Sequence, residues 1–182
     1  MKGHQILIGV TGGIAAYKTA ALVSKLVQAG AGVTVVMTQA ATQLIGPKTF
    51  EALTGRPVAV DLWAPIMSHA HIELADRGEV FCIAPATANF LAKAAWGIGD
   101  DLLTTTVLAF SGPIVVAPAM NSRMWQKPAV QRNLRQLRED GFIIIEPGEG
   151  YLSCGMVGPG RMAEPEEIFA RLGELLKGNK TA

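Results

Sequence analysis

The sequence predicts an α/β protein with a doubly wound parallel sheet in a single domain, and three observations predict it. Several short runs, 5–10, 32–37, 80–84 and 114–117, are apolar almost throughout, with no alternation, as strands buried on both faces are. Helical patterns separate them, which makes them parts of right-handed β-α-β units in a Rossmann-like, flavodoxin-like sheet. The first run also ends in Thr11-Gly12-Gly13, a turn that leads straight into a helix.

In chain order, Gln5–Val10 reads as a strand, 14–29 as a helix and Gly32–Met37 as a second strand. The run 80–84 follows as a strand, then Ala88–Ala95 as a helix that Thr87 can cap. Residues 100–110 form another helix, with Asp100-Asp101 placed to favour its positive end. A strand at 114–117, a helix at 128–140, a last strand at 142–145 and a closing helix at 166–177 complete the pattern. The domain is expected to span 1–177, with 178–182 as a tail. Segments 61–69 and 148–165 lack periodicity, and a loop as long as the second is expected to cover a site.

Composition narrows the function classes. Of 182 residues, 49% are hydrophobic and 17% charged, which is apolar for a domain of this size and predicts a homo-oligomer that buries part of its surface between copies. A net charge of +1 offers no footprint for nucleic acid or an anionic membrane. No apolar run approaches the ~18 residues that a membrane span needs. The start, MKGHQILIGV, reads as a first strand and not a signal peptide, and the two cysteines, Cys82 and Cys154, suggest neither a disulfide framework nor a metal site. A reduced, cytoplasmic protein is expected. Cys82, inside Val80-Phe81-Cys82-Ile83-Ala84, reads as core; Cys154, in a glycine-rich stretch, reads as reactive.

The first turn restricts the ligand. Ligands of doubly wound sheets bind beyond the carboxyl ends of the strands, where glycines admit a close approach and a helix N-terminus offers N–H groups to phosphate. A dinucleotide fingerprint needs G-x-G-x-x-G and an acidic residue after the second strand; the chain has Gly9-Val10-Thr11-Gly12-Gly13-Ile14 and ends that strand at Thr38. A triphosphate-binding loop needs glycine before Lys18-Thr19, and Tyr17 stands there. A mononucleotide or similar phosphate ligand remains, with Thr38 and Thr87 to supply hydroxyls. A plain tight turn at Gly12-Gly13 and simple capping by Thr87 are the competing readings.

Three segments carry a family resemblance: His71-Ile72-Glu73-Leu74; Pro118-Ala119-Met120-Asn121 with Met124-Trp125; and Ser153-Cys154-Gly155 through Gly158-Pro159-Gly160-Arg161-Met162-Ala163-Glu164-Pro165. With Gly12-Gly13-Ile14-Ala15-Ala16-Tyr17-Lys18 before them, they resemble the homo-oligomeric flavin-containing cysteine decarboxylases over nearly the whole chain, and most of all the branch that acts on 4'-phosphopantothenoylcysteine in coenzyme A biosynthesis. The resemblance implies FMN held by Gly12, Gly13, Ile14, Thr38 and the stretch Thr87, Ala88, Asn89 and Phe90. It implies His71, Asn121 and Cys154 as catalytic residues, and Ala119, Asn121 and Met124 as substrate-binding ones. Oxidation of the cysteine moiety to a thioaldehyde then supplies the electron sink that carbon dioxide loss needs, and reduction of the ene-thiol completes 4'-phosphopantetheine. Asn121 would orient the carboxylate, His71 would handle a proton near neutral pH, and Cys154 would donate one to the ene-thiol.

The family also implies trimers, or dodecamers built from trimers, with FMN near subunit contacts, and a phosphopantothenate–cysteine ligase as a fused or separate partner. The chain departs from it at Ala75-Asp76-Arg77-Gly78-Glu79, where the family has a basic residue followed by Trp-Ala-Asp; Arg77 is then the candidate for the substrate phosphate. A peptidyl-cysteine oxidative decarboxylase, which stops at the ene-thiol, and a non-catalytic FMN-binding regulatory protein are the alternatives.

Overall fold

Strands β1 (Gln5–Val10), β2 (Gly32–Met37), β3 (Val80–Ala86), β4 (Ile114–Pro118) and β5 (Ile143–Ile144) pair in parallel in the order β2-β1-β3-β4-β5. The computed structural model describes residues 1–63, 69–151, 155 and 157–178. Every residue of β3 and β4 is buried, so the unbroken apolar runs do mark central strands covered on both faces.

Alternate side chains of each strand feed two cores. Ile6, Ile8, Val10, Val33, Val35, Cys82 and Val115 pack under α1 (Ala16–Gln28), α2 (Gln39–Thr42), α3 (Pro47–Thr54) and α9 (Pro165–Gly178). Leu7, Phe81, Ile83 and Val116 pack under α4 (Ala70–Arg77), α5 (Ala88–Ala95), α6 (Leu102–Ala109) and α8 (Pro128–Glu139). A short α7 (Ser122–Trp125) follows β4 at its carboxyl end. The chain leaves β1 toward β2 on one side and later returns to place β3 on the other. The crevice between β1 and β3 is thus the switch point of the sheet, where a ligand site is expected.

The expected elements form within a few residues of their predicted ends, and α5 matches to the residue. Asp101 caps α6 through a capping box with Thr104, and Asp100 pairs with Lys93 at 2.7 Å, so this acidic pair is helix-start electrostatics and not an acid–base couple. Segment 148–165 differs from expectation. It contains an antiparallel hairpin, β6 (Gly148–Tyr151) and β7 (Val157–Arg161). Its sequences GEGY and VGPGR are largely exposed and too rich in glycine and proline to show an alternating pattern. Helices α2, α3, α4 and α7 also escaped the sequence reading. Residues 64–68 of segment 61–69, and Cys154, lie outside the described residues.

Candidate active site

The site grows from the turn after β1. Thr11, 2% exposed, donates its hydroxyl to the Pro85 carbonyl at 2.7 Å and accepts the Thr87 N–H at 3.1 Å. One buried side chain thus clamps the first ligand turn to the turn after β3. Thr19, on α1, repeats the device by donating to the Ala84 carbonyl at 2.7 Å. Gly12 is required because a Cβ there would lie 2.6 Å from Ala40 Cβ and 3.1 Å from the Ala40 carbonyl carbon, so α2 crowds the turn from outside. No side chain caps α1; the Ala16 and Lys18 N–H groups donate to the Gly13 and Ala15 carbonyls at 2.9 Å, and Tyr17 and Lys18 of its first turn line the crevice.

Beside this turn lies a cavity of about 460 Å³, lined by Gly12, Gly13, Ile14, Tyr17, Lys18, Thr87, Ala88, Ala119, Met120, Asn121, Met124, Tyr151, Arg161 and Met162, among others. Its walls are mostly apolar, with the amide of Asn121 and two cations among them. The third strand end enters through Ala119, whose N–H donates to Ala86 O at 3.0 Å, and Met120, whose N–H donates to Gly160 O at 2.9 Å. The hairpin therefore lies directly on the Asn121 loop. Gly160 has φ +117, and any Cβ there would collide with the Met120 carbonyl oxygen, so only glycine permits this seat. Asn121 caps α7, its Oδ1 accepting the Arg123 N–H at 2.8 Å. The adjacent Ser122 hydroxyl is buried and has no hydrogen-bond partner among the described residues.

At the outer wall, Glu164 Oε1 accepts from Lys18 Nζ and from Arg161 Nη2, each at 2.9 Å, and Lys18 Nζ also reaches Met162 O at 3.3 Å. The Lys18 side chain is 8% exposed; that of Arg161 is 43% exposed. This group ties the root of β7 and the start of α9 to the first turn of α1.

The structure brings together Gly12, Gly13, Ile14, Thr87, Ala88, Ala119, Asn121 and Met124 around one cavity. Thr38 stands next to the Gly12 turn, donating its N–H to Val10 O at 3.0 Å, but its hydroxyl accepts the Ala41 N–H and caps α2. Thr87 caps α5, Asn89 points to solvent and Phe90 is buried in the core. His71 lies on α4, at the same end of the sheet, without lining the cavity. Arg77 sits at the far end of α4, 3.9 Å from Glu73, and does not line it either. Cys82 is fully buried, and burial pushes its thiol up to about 12, so it is an inert core residue as expected. Thr11, Tyr17, Lys18, Tyr151, Arg161 and Met162 were not singled out from sequence. Thr11 was legible in principle, as a hydroxyl inside a turn otherwise made of glycine.

The flavoprotein family matches residues 1–177. The chain belongs to that family. This flavoprotein is 49% identical over 170 residues to the coenzyme A biosynthesis bifunctional protein CoaBC of Bacillus subtilis (strain 168), a match that covers 92% of the chain and 42% of the relative. It is 49% identical over 172 residues to the corresponding Vibrio cholerae protein, across 93% of the chain and 43% of the relative. The chain thus spans less than half the length of these relatives. Among solved structures it resembles a PPC decarboxylase mutant complexed with pantothenoylaminoethenethiol, with a TM-score of 0.87, 32% identity, and coverage of 97% of this chain and 100% of that one. It also resembles the FMN-dependent cysteine decarboxylase SpaF, with a TM-score of 0.82, 42% identity, and coverage of 96% and 98%.

Proposed function

We propose that this flavoprotein binds FMN in the cavity above β1 and β3 and decarboxylates 4'-phosphopantothenoylcysteine to 4'-phosphopantetheine, the decarboxylase step of coenzyme A biosynthesis. The observation that carries the reading is the convergence of the uncapped start of α1, the Thr87 turn and Asn121 on one mostly apolar cavity. The lining fits the cofactor: the glycine turn and the positive start of α1 suit a phosphate, while Ile14, Ala119, Met120 and Met162 suit a flat, apolar ring. When bound, FMN supplies a two-electron acceptor, and its reduced form the matching donor.

The chain's own residues supply position and protons. Asn121 is held by its helix-capping bond and by the hairpin seated on Met120, and in this reading its amide orients the cysteine carboxylate without neutralising it. His71 serves as the proton-handling group and Cys154 as the donor that completes the thiol product. His71 does not line the cavity of its own chain, and Ile14, Tyr17, Met124 and Tyr151 at the cavity are 59%, 65%, 45% and 70% exposed. Both features support a homo-oligomer, a trimer or a dodecamer of trimers, in which a second copy covers the mouth and completes the site. The bifunctional relatives support a ligase as functional partner, and that pathway suits the cytoplasm.

Incubating the purified protein with FMN and phosphopantothenoylcysteine, and following product mass, tests the reading. The expected product has lost carbon dioxide alone. Loss of carbon dioxide plus two hydrogens would instead favour an oxidative decarboxylase that stops at the ene-thiol, and no mass change would reject a decarboxylase. The ethenethiol named in the related PPC decarboxylase complex is the unphosphorylated counterpart of the species this route places before the final reduction. Cys154→Ser is expected to leave the product at that stage.

A further inference from the structure

We propose that Arg161 binds the phosphate monoester of the substrate, and that Glu164 holds its guanidinium ready at the cavity wall. The proposal rests on the decarboxylase reading above and names the residue that recognises the substrate's charged end.

Lys18 and Arg161 both line the cavity and both bond the same oxygen of Glu164. One carboxylate between two cations leaves a net positive wall, which attracts a phosphate dianion. The two cations differ in freedom. Lys18 is buried and also bonds Met162 O, so pulling it away would strand an ammonium in a region of low dielectric. Arg161 stands at the rim with a half-exposed guanidinium, and its planar fork can take two phosphate oxygens while Lys18 keeps Glu164 in place.

The hairpin leaves room for this side chain. A Cβ on Gly150 of β6 would lie 3.4 Å from Arg161 Cδ and 3.2 Å from Nη1, so the arginine stem crosses β6 where that strand has no side chain. The glycine turn and the positive start of α1 remain for the cofactor's phosphate, which assigns the two phosphates to different elements of the cavity. Arg77 is paired with Glu73 outside the cavity and is not placed for this role.

The test compares the holoenzyme and its Arg161→Gln variant on phosphopantothenoylcysteine and on unphosphorylated pantothenoylcysteine, alongside FMN and riboflavin titrations of both proteins. In the variant, KM for the phosphorylated substrate should rise roughly tenfold to hundredfold, the range expected for a lost charge-assisted hydrogen bond, while KM for the unphosphorylated one holds. Arg161→Lys should recover part of the preference because the charge survives. An unchanged preference in Arg161→Gln would overturn the proposal. So would a loss of FMN affinity relative to riboflavin, which would give Arg161 to the cofactor's phosphate instead. If the wild-type protein releases carbon dioxide from neither substrate, the decarboxylase reading fails and the proposal fails with it.

Discussion

The sheet has a cavity at each end, and the two are nearly equal in size. The one at the carboxyl ends of the strands measures about 460 Å³, and the one at the amino ends about 420 Å³. Their linings differ in sign. The first receives the starts of α1 and α5, with Lys18 and Arg161. The second is lined by Ala94 and Ala95 at the end of α5, Val107 and Leu108 at the end of α6, and Asp140 just after α8. Helix starts carry partial positive charge and helix ends partial negative charge, so parallel winding makes one end of the molecule receptive to anions and the other repellent. Volume does not distinguish a phosphate site here; the direction of the helices does.

Four substitutions can break or sharpen that contrast. The largest effect is expected from His71→Asn, which should reduce decarboxylation by about 10²–10⁴-fold, the range for a lost general acid–base group, while leaving FMN bound. Product mass and the flavin spectrum of the variant check this. Loss of the flavin together with activity would make His71 part of the binding site instead. Gly160→Ala should follow. Its methyl group meets the Met120 carbonyl at a φ of +117, and lifting the hairpin from the Asn121 loop should cost about 2–4 kcal/mol in denaturant unfolding and weaken substrate binding. Thr11→Val removes both bonds between the first and third turns. It should cost about 1–3 kcal/mol and lower FMN affinity in the same titration, since the two helix starts lose their common clamp.

The smallest effect belongs to the other end. Lys93→Met breaks the pair with Asp100 and should cost less than about 1 kcal/mol, with FMN affinity unchanged, because the pair is at the surface. Its hydrogen bond to Lys93 holds the Asp100 carboxyl below its ordinary 3.8, so the pair's contribution is complete above that pH and fades as pH falls through the depressed value. The same bond to Asp100 raises Lys93 above its ordinary 10.5, so the contribution also fades as pH rises past that point. Unfolding curves of the two proteins should differ in the middle of this range and converge at both extremes.

The sheet was legible because buried parallel strands leave an unmistakable mark: nothing polar survives in 80–84 or 114–117 except where a turn begins. The first turn was legible for the opposite reason, as glycines between a strand and a helix have few other uses. Much of the site was less so. Thr38, Thr87 and Asn121 are all helix caps here, and capping and ligand binding call for the same residue types at the same helix starts. Arg161 and Lys18 stood in the quoted motifs, but only the fold shows that residues 143 positions apart share one carboxylate oxygen. The hairpin was invisible to periodicity because its strands bury little, and what seats it on the Asn121 loop is close backbone approach at glycines, above all Gly160.

Titration of the protein with FMN, followed by quenching of flavin fluorescence, tests the central claim most directly when run on wild type, Gly13→Asp and Leu108→Gln. The account predicts saturation at one FMN per chain for wild type and for Leu108→Gln, which alters the cavity at the amino ends, and failure to saturate for Gly13→Asp, which puts a negative charge beside the start of α1. Full FMN binding by Gly13→Asp, or its loss in Leu108→Gln, would contradict it.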